Sequence, residues 1–253
     1  MSRHALKYLA TAILLGAMVA FATMGVAAEK PTRLVCDIWP PYQTQVGDEV
    51  QGFSTEIVRA VYQRLNAPIE SIMAYPWKRT LQILESGNAE ALFSANHTID
   101  RETFAFYPAE ILFESPWVIW TKGSKNIQSL EDLKGETVGV VMGYSYTPSF
   151  WDFIQTYCKV EEVTADDINF KKLNIGRLDA IVAEYGNGRY LVEQMRLEGI
   201  TPHKDIIIKK DGLHIIFSRK NVSRDFVRRF SDELKLFKTT EQYKALRHKY
   251  LGE

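Results

Sequence analysis

Only two cysteines occur in 253 residues, Cys36 and Cys158. They are too few for a disulfide framework, and they do not space as metal ligands. No Cys-x-x-Cys, His-Glu-x-x-His, Gly-x-Ser-x-Gly or phosphate loop occurs, so zinc hydrolysis, serine esterase chemistry and nucleotide hydrolysis have no motif to rest on. Nothing calls for a cofactor. An excess of positive charge is missing too: 31 Lys and Arg face 31 Asp and Glu, which removes the electrostatic footprint that nucleic-acid binding needs.

The one long apolar run, Leu9 to Val26, follows Arg3, His4 and Lys7 and ends in Val26-Ala27-Ala28. This is the layout of a secretory signal, with residues 1–28 removed; its length also fits an uncleaved anchor. No cysteine marks a lipid attachment at the junction. About 225 residues follow, enough for one large domain or two small lobes. In an exported chain the two cysteines either bridge or pack as thiols. The placing of Cys36 in the run Leu34-Val35-Cys36 favours packing.

A repeat is present, and it favours two lobes. Gly87-Asn-Ala-Glu-Ala-Leu-Phe-Ser94 and Gly176-Arg-Leu-Asp-Ala-Ile-Val-Ala183 share one pattern, a helix-ending glycine before a short apolar run. Each run reads as a buried strand opening into a loop, where ligands of open α/β sheets gather. Arg101 follows the first copy and Glu184 the second. Opposite charges on facing lobes suit a zwitterion.

Strands and helices alternate along the chain, giving an α/β class. The pattern predicts strands at Leu34–Asp37 and Ile69–Tyr75, a helix capped by Ser54, and a helix Trp77–Ser86 stopped by Gly87. An apolar extended segment, Phe113 to Trp120, is the expected first crossing between lobes. A short helix near Ser129–Leu133, a strand Thr137–Val141, a helix Pro148–Tyr157 and a strand Val160–Val163 follow. After the second repeat come a helix near Arg189–Leu197, separate strands at Ile206–Ile208 and Leu213–Phe217, and two amphipathic helices with stripes Phe226/Val227/Phe230/Leu234 and Tyr243/Leu246/Tyr250. If those helices return to the first lobe, two crossings near Phe113–Lys122 and Lys209–His214 form a hinge.

Taken in order, Asp37-Ile-Trp-Pro-Pro-Tyr42, Gly52-Phe53, Ser86-Gly-Asn-Ala-Glu-Ala91, Thr98-Ile-Asp-Arg101, Leu133-Lys-Gly-Glu-Thr-Val-Gly-Val140, Gly143, Gly176-Arg-Leu-Asp-Ala180 and the Tyr243-to-Tyr250 helix resemble one family. It is the bacterial extracytoplasmic solute-binding proteins of the polar-amino-acid type, family 3, and the resemblance covers Leu34 to Leu251. It implies a two-lobed type II periplasmic binding-protein fold. The lobes would be residues 29–119 with 212–253, and 120–211. It also implies a periplasmic monomer that captures a small polar ligand, an amino acid or analogue, and delivers it to the permease of an ABC importer. A free or kinase-docked sensor would use the same ligand chemistry.

The resemblance gives Arg101 the ligand carboxylate, which a planar guanidinium grips with two parallel bonds. Glu184 stands where the family carries an acid for the α-amino group, usually Asp. Trp39, Tyr42 and Trp77 would form aromatic walls, each equally readable as core. Asp37 would aid an amino group or cap a turn. Ser94 and Asn96 would add polar contacts beside Arg101, and Ser145 with the amides after Gly143 would meet the carboxylate from the second lobe. His97 reads as a loop hydrogen-bonder, and Arg79 as a solvated helix residue or a second cation for an acidic ligand. Periplasmic cyclohexadienyl dehydratases resemble the same fold, but no acid–base pair is fixed by the sequence.

Overall fold

The computed structural model describes residues 30–125 and 127–252; the expected signal segment lies outside them. Among the described residues no helix is long and apolar enough to cross a membrane. The first half of the fold runs β1 (Thr32–Cys36), a small hairpin of β2 (Thr44–Val46) and β3 (Glu49–Gln51), α1 (Phe53–Arg64), β4 (Ile69–Ala74), α2 (Trp77–Ser86) and β5 (Ala91–Asn96). A short α3 (Ile99–Glu102), β6 (Ala105–Phe106) and the ten-residue β7 (Phe113–Lys122) follow.

A 3-10 turn (Leu130–Leu133) with a Ser129–Asp132 capping box leads into β8 (Thr137–Val141). Then come α4 (Pro148–Tyr157), β9 (Lys159–Val163), α5 (Asp166–Asn174), β10 (Ala180–Glu184), α6 (Tyr185–Gln194), β11 (Ile200–Ser218), α7 (Arg224–Phe237) and α8 (Glu241–Leu251).

The main sheet has the order β4-β1-β5-β11-β7-β10-β8-β9, with β6 on β11. The order is two matching halves. β5 lies parallel to β1 and antiparallel to β11, while β10 lies parallel to β8 and antiparallel to β7. The two repeat copies therefore occupy equivalent places, each with its glycine in the left-handed region, Gly87 at φ 83° and Gly176 at φ 70°. β5 and β10 are buried at every position, as strands with both faces covered must be, which is why their sequences are continuous apolar runs and not alternating ones.

Apolar stripes decide the layers. α7 buries Phe226, Val227, Phe230, Leu234 and Phe237, and α8 buries Tyr243; both pack on α1 in the first half. Rings meet there, Tyr62 edge-on with Phe230 at 5.7 Å and Phe53 tilted against Tyr243 at 5.9 Å. Trp120, Phe170, Leu173, Ile181 and Leu191 form a second cluster behind β7 and β10.

Three expectations need correction. Ser54 does not cap α1: the cap position is Gly52 at φ 125°, where a β-carbon would stand 2.5 Å from the Tyr42 carbonyl oxygen, and Ser54 is buried in the first turn. The helix near Arg189 begins at Tyr185, because Glu184 itself is its N-cap. The strands at Ile206 and Leu213 are parts of one 19-residue strand. Lys209-Lys-Asp-Gly212 looks like a turn by composition, yet it stays extended, paired to Trp117 through Glu114 of β7. Cys36 and Cys158 are both free thiols, the Cys158 thiol donating to the Leu133 carbonyl at 3.1 Å.

Candidate functional site

The C-terminal ends of β1, β5 and β8 converge on a small cavity of about 20 Å³. Seven of the nine residues singled out in the sequence line it: Asp37, Trp39, Trp77, Ser94, Asn96, Arg101 and Ser145. Trp117 and Tyr144 complete the wall. Tyr42 and Glu184 are not part of it.

Local structure explains why these side chains arrive together. Ser94 has φ 65° and sits where the β5–β11 register slips between His214 and Ile215. Such a bulge re-aims a strand side chain. Its hydroxyl donates to Ser54 Oγ at 3.0 Å and accepts from the Gln43 amide. Thr98 caps α3 by accepting from the Arg101 amide at 3.3 Å, and this short helix swings Arg101 back under β5.

Arg101 is 7% exposed. Its Nη1 donates to the Asn96 carbonyl at 2.9 Å and its Nη2 to the Gly143 carbonyl at 3.2 Å, with the guanidinium 5.2 Å from the Trp77 ring centroid. Burial lowers its pKa, opposed by Tyr107. Among the described residues no carboxylate forms an ion pair with it. A buried cation held only by carbonyls and a ring face retains strong attraction for an anion.

A second cation borders the cavity, and composition concealed it. Lys209 donates to Asn96 Oδ1 at 2.7 Å, to Ser145 Oγ at 3.2 Å and to the Ser145 carbonyl, and lies 4.4 Å from the Trp117 ring centroid. Burial, with repulsion from Arg101, brings its pKa down to about 8 against the pull of Asp211. Since Lys209 can only donate, it fixes the Asn96 amide with oxygen toward it. Asn96 Nδ2 is then buried with no partner, a donor in the cavity wall.

The acids are distributed differently from the sequence reading. Glu184 is fully buried; its Oε1 accepts from the Gly186 amide at 2.8 Å, Tyr42 Oη at 3.1 Å and the Ser115 hydroxyl, and its Oε2 from the Asn187 amide at 2.7 Å. Burial still raises its pKa above the usual carboxylate range. The extra methylene of Glu over Asp lets it fold back onto the helix it caps. Tyr42 stacks on Phe113 at 4.3 Å and packs 4.6 Å from Trp39, so it supports the wall that Trp39 forms. The acid that faces the cavity is Asp37, pushed up to about 7 by burial against its backbone and Tyr144 bonds.

Bonds across the halves close the site. Trp77 Nε1 donates to the Gly143 carbonyl at 2.9 Å, Asn187 Nδ2 to the Pro40 carbonyl at 2.6 Å, and Trp39 Nε1 to Asp166 Oδ2 at 3.1 Å. His97 is half exposed and bonds Glu102 at 2.6 Å, as a loop histidine does. Arg79 is exposed on α2 and absent from the lining. Among the described residues no cluster of His, Cys, Asp and Glu has metal-site geometry.

The family model for bacterial extracellular solute-binding proteins, family 3, matches residues 33–253. The arginine-binding extracellular protein ArtP of Bacillus subtilis is 27% identical over 106 residues, 42% of this chain and 41% of that relative. The match thus spans about two fifths of the relative's length. Among solved structures, a histidine kinase sensor domain similar to periplasmic binding proteins aligns with TM-score 0.76 at 19% identity, covering 89% of this chain and 97% of that one. An ancestral arginine-binding protein bound to arginine aligns with TM-score 0.76 at 21% identity, covering 88% and 99%. At these identities the likeness is one of fold, the two-lobed type II architecture.

Proposed function

The chain belongs to the bacterial extracellular solute-binding proteins, family 3, and on that premise we propose that it is a periplasmic receptor that captures a small zwitterion, an amino acid or close analogue, and hands it to the permease of an ABC importer. The observation that carries this reading is Arg101: a buried guanidinium, with no acid partner among the described residues, facing a cavity whose wall also holds Asp37. Arg101 takes the carboxylate, with Asn96 Nδ2 and the Ser145 region beside it. Asp37 takes the cationic nitrogen. Trp39, Trp77, Trp117 and Tyr144 enclose the body of the ligand. The enclosed space of about 20 Å³ holds about one water, so in this reading the halves move apart to admit the ligand.

Residues 29–119 with 212–253 form one lobe in this reading and 120–211 the other. β7 and β11 are the crossings, and closing about them buries the ligand and strengthens both charge contacts by excluding water. Residues 1–28 serve as the export signal. A second reading, ligand sensing for a membrane signalling partner, draws on the likeness to a histidine kinase sensor domain; permease and ATPase genes beside this one favour transport, a signalling neighbour favours sensing.

The test is a thermal-shift screen of amino acids, polyamines, dicarboxylates and aromatic acids, followed by small-angle scattering on the hit. A ligand at a hundred times its Kd adds about 2.7 kcal/mol of apparent stability, and the radius of gyration should fall when it binds. A confirmed ligand that leaves scattering unchanged would place the site within one lobe. Binding without turnover is expected: prephenate incubated with the protein should stay intact by chromatography, and an aromatic product would overturn the receptor reading.

A further inference from the structure

The receptor reading engages Asp37 alone, yet a second acid is tied to it. Asp37 follows β1 and Asp166 opens α5, on different halves of the sheet. One hydroxyl serves both: Tyr144 Oη lies 3.3 Å from Asp37 Oδ2 and 3.0 Å from Asp166 Oδ2. A phenol has a single proton. Trp39 Nε1 also donates to Asp166 Oδ2, at 3.1 Å, but among the described residues Asp166 Oδ1 is buried with no hydrogen-bond partner. The two acids are 7% and 5% exposed, and among the described residues no Lys or Arg forms an ion pair with either. Tyr144 and Trp39 are cavity walls, so the second acid stands one hydroxyl away from the space Asp37 lines. Two buried carboxylates with one shared donor and no cation are an unbalanced charge distribution that a bound cation corrects.

We propose that Asp166 acts with Asp37 and Tyr144 as the seat for the ligand's cationic nitrogen, so that acids from both halves, and not Glu184, select a small zwitterion. The inference rests on the receptor reading. It adds Asp166 as a specificity-determining residue that closes only when both halves meet around the nitrogen.

Proton traffic distinguishes this seat from a structural hydrogen-bond network. Burial lifts both acids to about 7. Around them, Glu184 repels Asp166, Tyr146 faces Asp166, and the Cys36 thiol neighbours Asp37; burial holds those last two neighbours neutral. The cavity's cations, Arg101 and Lys209, bond Asn96, Gly143 and Ser145 instead. Near pH 7 the pair therefore holds protons that an incoming ammonium displaces. Affinity should rise about eightfold per released proton between pH 6.0 and 7.5.

The experiment uses L-alanine, L-glutamine, L-glutamate and L-arginine as probes in thermal shift. The probe with the largest shift then goes to calorimetric titration at both pH values, in two buffers of different ionisation heat. Proton release on binding is expected. Asp166→Asn should lose at least about tenfold in affinity and part of the released proton count. Asp167→Asn removes the same charge from the next residue, which pairs with Lys171 at 2.6 Å, and should change neither. Tyr144→Phe, which keeps the ring and deletes the shared hydroxyl, should alter the proton count even if Asp166→Asn folds poorly. Parent-like affinity and proton release in Asp166→Asn, or in Tyr144→Phe where only that variant folds, would overturn the proposal. Failure of all four probes to shift the melting temperature overturns the amino-acid receptor reading itself, which is a different result.

Discussion

Asp166→Asn should stabilise the ligand-free protein as pH rises, at the expense of binding. Burial pushes the Asp166 carboxyl from 3.8 up to about 7, against opposing bonds from Tyr144 and Trp39. An acid whose folded pKa is raised holds its proton more tightly folded than unfolded. Stability is therefore lost as pH climbs from about 4 to about 7, and the deficit is complete above the folded value. A tenfold change in proton affinity is worth about 1.36 kcal/mol, so the rise from 3.8 to about 7 sets a ceiling of about 4 kcal/mol. Asparagine has costs of its own. It forfeits about 0.3–1 kcal/mol of attraction to the α5 N-terminus, and its amide nitrogen or oxygen replaces the unpartnered Oδ1 at about 1–3 kcal/mol. The helix-end attraction belongs to the ionised acid and is already contained in its folded pKa, while the amide's cost is the same at every pH, so the informative quantity is the difference between two pH values. From pH 4.5 to 8.0 the parent should lose about 3 kcal/mol relative to the variant, measured by urea unfolding followed by far-UV circular dichroism. Parallel pH dependence in parent and variant would refute the reasoning, since Asp166 would then titrate alike in both states.

Arg101→Ala should weaken binding of the screened ligand by about 2–5 kcal/mol, roughly 30- to several-thousand-fold, in calorimetric titration; unchanged affinity would remove Arg101 from the site. Lys209→Met keeps the stem over Trp117 but frees Asn96 Oδ1 and Ser145, and should weaken binding about tenfold through misplacement of the Asn96 amide; Lys209→Arg should restore part of the loss. Gly188→Ala places a methyl group inside the Trp120 ring, which is fully packed beneath α6, and should cost about 1–3 kcal/mol in thermal unfolding; a parent-like melting curve would show that the ring can move.

Much of the fold was legible because local signals and burial agree. α2 and α4 begin and end where apolar spacing, Gly87 and Pro148 place them, and β8 coincides with its apolar run. The failures have a common cause. Ser54 has the chemistry of a cap, but the tight approach of Pro41 and Tyr42 carbonyls demands glycine two residues earlier. Lys209-Lys-Asp-Gly212 has the chemistry of a turn, but its partner β7 supplies a full ladder of pairing. Local composition cannot register a bond made across the sheet.

The same limit explains the site. Arg101, Ser94, Asn96 and Trp77 were singled out because their segments resemble the family's, and those segments, the end of β5, α3 and the start of α2, border the cavity. Asp166 was not, because an acid in the first turn of a helix already has a sufficient local reason to be there; only the bonds from Trp39 and Tyr144 give it another. Glu184 is the converse case. It falls where the family carries its amine-binding acid, but it is absent from the cavity lining, and its Oε1 accepts from Gly186, Tyr42 and Ser115 while Oε2 accepts from Asn187. A buried acceptor without a hydrogen-bond partner, not sequence position, marks the acid that an ammonium would satisfy, and among the described residues that carboxylate oxygen is Asp166 Oδ1.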